Sequence, residues 1–188
     1  MKSVVLIASV LALLAAPAAA DDIADKMPGC LGCHGEAGQS QNDGVPSLGA
    51  QNSPYTLIQL FLFREKLRTA APMNDLMDGV SDADLQAFAD AIEKLPAPKP
   101  VDGGDAQRLA HGRVLAEQNH CLICHRADLS GQNNVPRLAG QREDYLLKSL
   151  RDYKSGARHG YDSSMADVVQ PMAEADFLDV AYFIARMK

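Results

Sequence analysis

The chain has 188 residues, 47% of them apolar but only 5% aromatic, with no tryptophan and a formal charge of −6. That length holds one large or two small domains, and the lack of any Lys/Arg-rich run excludes a nucleic-acid footprint. An acidic balance suits solubility and steering toward a basic docking face.

Lys2, the apolar run from Val4 to Leu14 and the small residues Ala18-Ala19-Ala20 predict a cleaved secretory leader over residues 1–20. The apolar run is short for a membrane span, so the mature chain is expected to be exported and soluble, from Asp21 to Lys188. From Asp21 the chain soon reaches Cys30-Leu31-Gly32-Cys33-His34, which leaves room ahead of it for a helical turn or two. A Gly-rich polar loop leads to Val45-Pro46-Ser47-Leu48. Ser53 to Arg68 reads as a helix with a broad apolar surface around Leu57, Leu60 and Phe61. Ala70 to Val80 reads as a loop holding Met73 and Met77. Ser81 then caps a helix that opens with Asp82 and Asp84 and runs to about Leu95. Residues 96–104, rich in Pro and Gly, form a linker.

The second half repeats the first. A helix over Asp105 to Asn119 leads into Cys121-Leu122-Ile123-Cys124-His125. Val135-Pro136-Arg137-Leu138 answers Val45-Pro46-Ser47-Leu48. Ninety positions separate Gln51 from Gln141, Tyr55 from Tyr145, Leu57 from Leu147 and Leu60 from Leu150. Ala173 to Met187 answers the Ser81 helix. The chain thus divides into 21–95 and 105–188 around the linker, each unit mostly helical and with a meagre apolar core of its own.

Both five-residue motifs read as c-type haem attachment sequences. Thiols three positions apart each form a thioether to the porphyrin, and the histidine that follows is held where its imidazole reaches the iron. The four cysteines are all used in this way. A Cys₄ zinc site would need the pairs much closer in sequence, and a thioredoxin-like dithiol would need flanking strands. Two disulfides, otherwise natural in an exported protein, leave the paired histidines unexplained. Two covalently attached haem c groups are therefore expected. Export agrees, since bacteria attach c-type haem outside the cytoplasm.

Each iron needs a second axial partner or an open face, and methionine is a usual partner in electron-transfer cytochromes. Met27 lies too near Cys30. Superposing the two C-terminal helices puts Met73 on Met165, whereas Met77 falls on Val169 and Val80 on Met172. Met73 and Met165 are thus the candidate distal ligands, with Met77 and Met172 as packing residues. His111 and His120 read as surface or supporting residues, and His159 as a reserve ligand. Pro46 and Pro136 are either loop stiffeners or carbonyls that accept the histidine's free ring N–H.

With these residues in view the chain resembles the dihaem class I cytochromes c of the cytochrome c4 type, closely so over Leu138-Ala139-Gly140-Gln141-Arg142-Glu143-Asp144-Tyr145-Leu146-Leu147-Lys148. The resemblance implies an all-α protein of two tandem class I cytochrome c domains about a pseudo-two-fold axis. In it Cys30, Cys33, Cys121 and Cys124 carry the haems, His34 and His125 are proximal, and Met73 and Met165 distal. Gly112 fits the family's helix-crossing glycine. Two departures, the shorter leading helix and Ala91 where the second half has Phe183, predict a looser first domain, with Phe88 filling the space.

The implied function is periplasmic single-electron transfer between redox proteins. The donor would be a dehydrogenase or quinol-oxidising complex and the acceptor a terminal oxidase or reductase, with room for peripheral association with membrane complexes. A haem subunit of a periplasmic dehydrogenase, as in flavocytochrome c, is the second reading. A haem enzyme with one open iron, such as a peroxidase, is the third.

Overall fold

A computed structural model describes residues 23–159 and 163–188. The leader expected over residues 1–20 lies outside the described residues. The described chain is helical, with one isolated β-bridge between Gln132 and Val135. The first half holds α1 (Ile23–His34), α2 (Ser53–Arg64), α3 (Met73–Met77) and α4 (Asp82–Glu93). The second holds α5 (Ala106–Gln118), α6 (Cys121–His125), α7 (Glu143–Ser155), α8 (Ser164–Val169) and α9 (Glu174–Ala185).

Local chemistry explains the helix ends. The Ser81 hydroxyl accepts from the Asp84 amide, and the Asp105 carboxylate accepts from the Gln107 and Arg108 amides. Each cap satisfies donors that the first turn leaves unpaired. α2 stops four residues short of the expected Arg68. Lys66 takes a left-handed conformation (φ 57°), and the Leu67 and Arg68 amides both turn back to the Leu62 carbonyl. A left-handed residue followed by back-folded amides ends a helix cleanly. Two stretches expected as loops contain short helices: Met73 is the first residue of α3, and Met165 lies in α8. The two attachment motifs also differ. α1 runs unbroken through Cys30 and Cys33 to His34 after about two turns. In the second half the chain breaks at His120 (φ 59°) before α6 begins.

Two hydrophobic clusters form, one per half. The first gathers Met27, Leu60, Phe63, Met77, Leu85, Phe88 and Ile92. The second is larger, built around Leu115, Leu146, Val169, Phe177, Val180 and Phe183. Phe88 is buried in the first cluster while Ala91 is only partly covered, which agrees with the packing expected there. Full burial of a side chain the size of Phe177 contributes about 1.5–3 kcal/mol.

The helix crossing that organises the second half depends on Gly112. α5 lies so close on α9 that a Cβ at Gly112 would stand 2.0 Å from the Asp179 carbonyl oxygen and 2.7 Å from Phe183 Cβ. Arg108 and His111 flank the crossing and reach the Asp179 carboxylate at 2.7 and 2.8 Å. In the first half α1 meets α4 with an ion pair from Lys26 to Asp84 (3.2 Å), and a Cβ at Gly29 would meet nothing. Residues 96–104 are laid along both halves. The Pro96 carbonyl sits against Gly49, the Pro98 carbonyl against Gly140, and the Val101 amide donates to the Ala185 carbonyl.

Gly112→Ala should separate α5 from α9 and destabilise the second half by about 1–3 kcal/mol. Chemical denaturation followed by far-ultraviolet circular dichroism measures this. The same change at Gly29, where space is open, should cost far less.

Candidate functional site

Each attachment motif places its histidine inside and its second cysteine outside. His34 and His125 are 7% and 4% exposed, Cys33 and Cys124 are exposed, and Cys30 and Cys121 are half-buried. No cysteine is in a disulfide. Burial pushes the Cys30 and Cys121 thiols up from their ordinary value. Among the described residues no group of three or more His, Cys, Asp or Glu side chains converges as a zinc cage would.

Backbone carbonyls hold both imidazoles. His34 Nδ1 donates to the Pro46 carbonyl at 2.8 Å, and His125 Nδ1 donates to the Pro136 carbonyl at 2.8 Å. A carbonyl can only accept, so Nδ1 carries the proton and Nε2 keeps its lone pair. Burial draws both histidines below their ordinary value, with the hydrogen bond opposing, which favours the neutral ring a metal requires. The turn after each motif is fixed in matching ways. Asn42 Nδ2 donates to the Cys33 carbonyl, Gln132 Nε2 to the Cys124 carbonyl. Leu48 and Gly49 bond back to Gly38, as Leu138 and Ala139 do to Leu129.

Met73 and Met165 are partly buried against their clusters, whereas Met77 and Met172 are 5% and 6% exposed within them. Asn74 ties the Met73 segment down by donating to the Phe63 and Arg68 carbonyls and accepting from the Ala70 amide. Lys154 does the equivalent for the second half, donating to the Gln170 and Met172 carbonyls. His111 is bound to Asp179, and His120 and His159 are exposed.

The halves meet through a polar, two-fold arrangement. Gln51 bonds the Arg137 backbone and Gln141 the Ser47 backbone. Arg68 Nη2 donates to the Tyr145 hydroxyl at 3.1 Å, and Arg158 Nη2 to the Tyr55 hydroxyl at 2.8 Å. Arg142 reaches Asp43 at 3.0 Å. Sequence reasoning passed over Arg68 and Arg158. They are ninety positions apart like Gln51 and Gln141, so the repeat itself was the signal that could have found them.

That interface carries surplus positive charge. Arg158 is 6% exposed, and its Nε, like that of Arg137, is buried without a partner. Among the described residues neither Arg68 nor Arg158 pairs with a carboxylate. Burial raises the Tyr145 phenol, yet the Arg158 and Arg68 charges outweigh it and bring it down to about 7. Free thiols, imidazoles with an available Nε2 and unneutralised guanidiniums fit haem c, which brings two vinyl-derived attachment points, an iron and two carboxylates.

The cytochrome c family model matches residues 109–188. Cytochrome c4 of Pseudomonas aeruginosa is 30% identical over 166 residues, covering 82% of each chain. The chain belongs to the cytochrome c4 family. A protein of Stutzerimonas stutzeri named thiosulfate dehydrogenase electron acceptor is 27% identical over 84% of this chain and 78% of its own. The crystal structure of reduced recombinant cytochrome c4 from Pseudomonas stutzeri superposes with a TM-score of 0.81 at 23% identity, over 88% of this chain and 97% of that one. The fold is thus the all-α, two-domain one expected. As a cytochrome c4 homologue the protein transfers electrons on covalently bound haem c.

Proposed function

We propose that the protein is a periplasmic carrier that moves single electrons between redox partner proteins and performs no bond chemistry of its own. The observation that carries this is the matched pair of histidine-to-proline hydrogen bonds, each 2.8 Å, beneath a complete attachment motif. In this reading Cys30 and Cys33 hold one haem by thioethers, and Cys121 and Cys124 the other. His34 and His125 would each offer Nε2 to an iron, and Met73 and Met165 would each offer a thioether sulfur. Residues 1–20 direct export, and units 21–95 and 105–188 each enclose one redox centre, joined by 96–104.

Haem supplies the one-electron centre when bound; the chain's part is to hold it with little rearrangement. The Pro46 and Pro136 carbonyls fix the ring plane of each histidine and raise its basicity. Asn74 and Lys154 restrain the methionine segments, so that Met73 and Met165 would be held ready as iron ligands. Arg158, buried at the interface, and the half-buried Arg68 beside it have no carboxylate partners among the described residues and would take haem carboxylates, as an unpaired charge buried like that of Arg158 is otherwise costly. A second reading, a haem subunit that serves a dehydrogenase, draws on the relative named as an electron acceptor of thiosulfate dehydrogenase. A stoichiometric catalytic partner in native affinity purification would favour it over the free carrier.

Intact mass should show two covalent haems on the mature chain. Met→Ala at Met73 or Met165 should each remove half of the methionine–iron charge-transfer absorption, while Met77→Ala and Met172→Ala leave it. If Met77→Ala removes the band instead, the ligand assignment fails. In the reduced protein carbon monoxide should bind neither iron readily; fast stoichiometric binding at one haem would argue for catalysis or sensing there.

The guanidinium reading has its own check. Carboxylates seated beside Arg68 and Arg158 would compete for their charge, and Tyr145 would then ionise well above pH 7. Ultraviolet titration of the haem-loaded protein should find no tyrosinate forming near pH 7. A phenol that does titrate there, and vanishes in Tyr145→Phe, would place the haem carboxylates elsewhere.

A further inference from the structure

The peptide that holds each histidine is itself held by the opposite half. The Pro46–Ser47 peptide accepts the His34 Nδ1 proton through its carbonyl at 2.8 Å and donates its N–H to Gln141 Oε1 at 2.8 Å. Gln141 Nε2 closes the pair by donating to the Ser47 carbonyl at 2.9 Å. The mirror chain has the same parts. The Pro136–Arg137 peptide accepts from His125 Nδ1 at 2.8 Å and donates to Gln51 Oε1 at 2.8 Å, and Gln51 Nε2 donates to the Arg137 carbonyl at 3.0 Å. Each amide oxygen also accepts the next amide of its own half, Asn52 or Arg142. With two N–H donors aimed at one atom, that atom is the oxygen, and the amide orientation is settled. Ser47, Gln51 and Gln141 are 4%, 8% and 6% exposed, so water does not replace these bonds.

We propose that Gln51 and Gln141 are positioning residues that bias, from across the interface, the reduction potential of the redox centre in the opposite half. The physical link is the shared peptide plane. A peptide whose N–H is engaged by a good acceptor has a more polarised carbonyl, because successive hydrogen bonds reinforce one another. The strengthened carbonyl draws harder on the histidine Nδ1 proton and makes the ring a stronger electron donor. A stronger donor favours the oxidised iron and lowers the potential. Each half therefore lowers the potential of its neighbour's centre for as long as the halves stay clasped. This inference rests on His34 and His125 being the iron ligands.

The test uses the whole haem-loaded protein and resolves the two potentials by spectroelectrochemical titration. Each glutamine variant is made alone and on a Met73→His background, which marks the first-half centre by loss of half the methionine–iron band. Gln141→Leu should raise the reduced-to-oxidised ratio of the first-half centre about three- to tenfold at fixed potential, the worth of one neutral hydrogen bond, with tenfold equal to 59 mV for one electron. The second-half centre should move far less. Gln51→Leu should give the reverse assignment. Gln141→Glu retains an acceptor for the Ser47 amide, and a more strongly charged one, so it should shift the first-half centre the other way and by more than the second. A shift confined to the glutamine's own half, equal shifts at both centres, or the same direction for Leu and Glu would overturn the proposal. If Gln141→Leu does not assemble, Gln141→Glu alone decides, and an unchanged or raised first-half potential counts against it. Failure of the ligand reading looks different: His34→Ala or His125→Ala would then leave the spectrum of its half unchanged, and a misassigned Met73 would leave the methionine–iron band whole in Met73→His.

Discussion

The structure depends on one small constraint: a buried imidazole must present Nε2 and satisfy Nδ1. Water does not reach His34 or His125, so Nδ1 needs a protein acceptor. In both halves the acceptor is the carbonyl of the proline in the Val-Pro-x-Leu segment. Proline suits the position because it fixes φ and its missing N–H leaves no donor to satisfy. The remainder of the segment is pinned from behind, Leu48 and Gly49 by Gly38, and Leu138 and Ala139 by Leu129. Gly38 takes φ 73° and Leu129 φ 57°, so the first half meets this turn with the residue best suited to it and the second with a strained leucine. Leu129 is fully buried, and its apolar contacts offset the strain.

From that constraint the interface follows. A Val-Pro-x-Leu segment that holds a histidine has one peptide N–H and one carbonyl left facing outward, and in each half these are met by a glutamine of the other. Arg68 with Tyr145, and Arg158 with Tyr55, repeat the swap a little further along. An apolar interface of similar area would hold two cores together with little angular preference. Directional bonds, six of them to backbone or phenol groups in three two-fold pairs, fix the relative orientation of the halves. For a protein that transfers electrons on haem c, orientation matters more than adhesion.

The parts of this arrangement that were legible in the sequence are those with local causes. The Ser81 cap, the two attachment motifs and the helices over 82–93 and 106–118 depend on neighbours within four residues. The repeat at ninety positions correctly related Gln51 to Gln141 and Tyr55 to Tyr145. A repeat states equivalence, however, and not which copy a side chain faces. Nothing in the sequence says that Gln141 turns to Ser47 rather than to its own Arg137. The short helices α3 and α8 were likewise invisible, since five or six residues complete too little of a helical period to show a pattern. The early end of α2 turns on a left-handed lysine, Lys66, which carries none of the glycine or asparagine signal that usually marks such a stop.

The route of residues 96–104 explains why so polar an interface suffices. Composition alone describes a loose tether, yet the Pro96 and Pro98 carbonyls lie against Gly49 and Gly140, one on each side of the seam. Gln39 adds a pair of hydrogen bonds to the Lys99 backbone, and Val101 is fixed to the end of α9. A short tether already raises the effective concentration of one half at the other to roughly millimolar, and a strap with few free residues leaves little rotational freedom to lose on docking. The interface then has only to choose one orientation from a narrow set. Hydrogen bonds of about 0.5–1.5 kcal/mol each are enough for that choice. They are also weak enough that a partner pressing on one half could disturb the bonds that hold the other half's histidine.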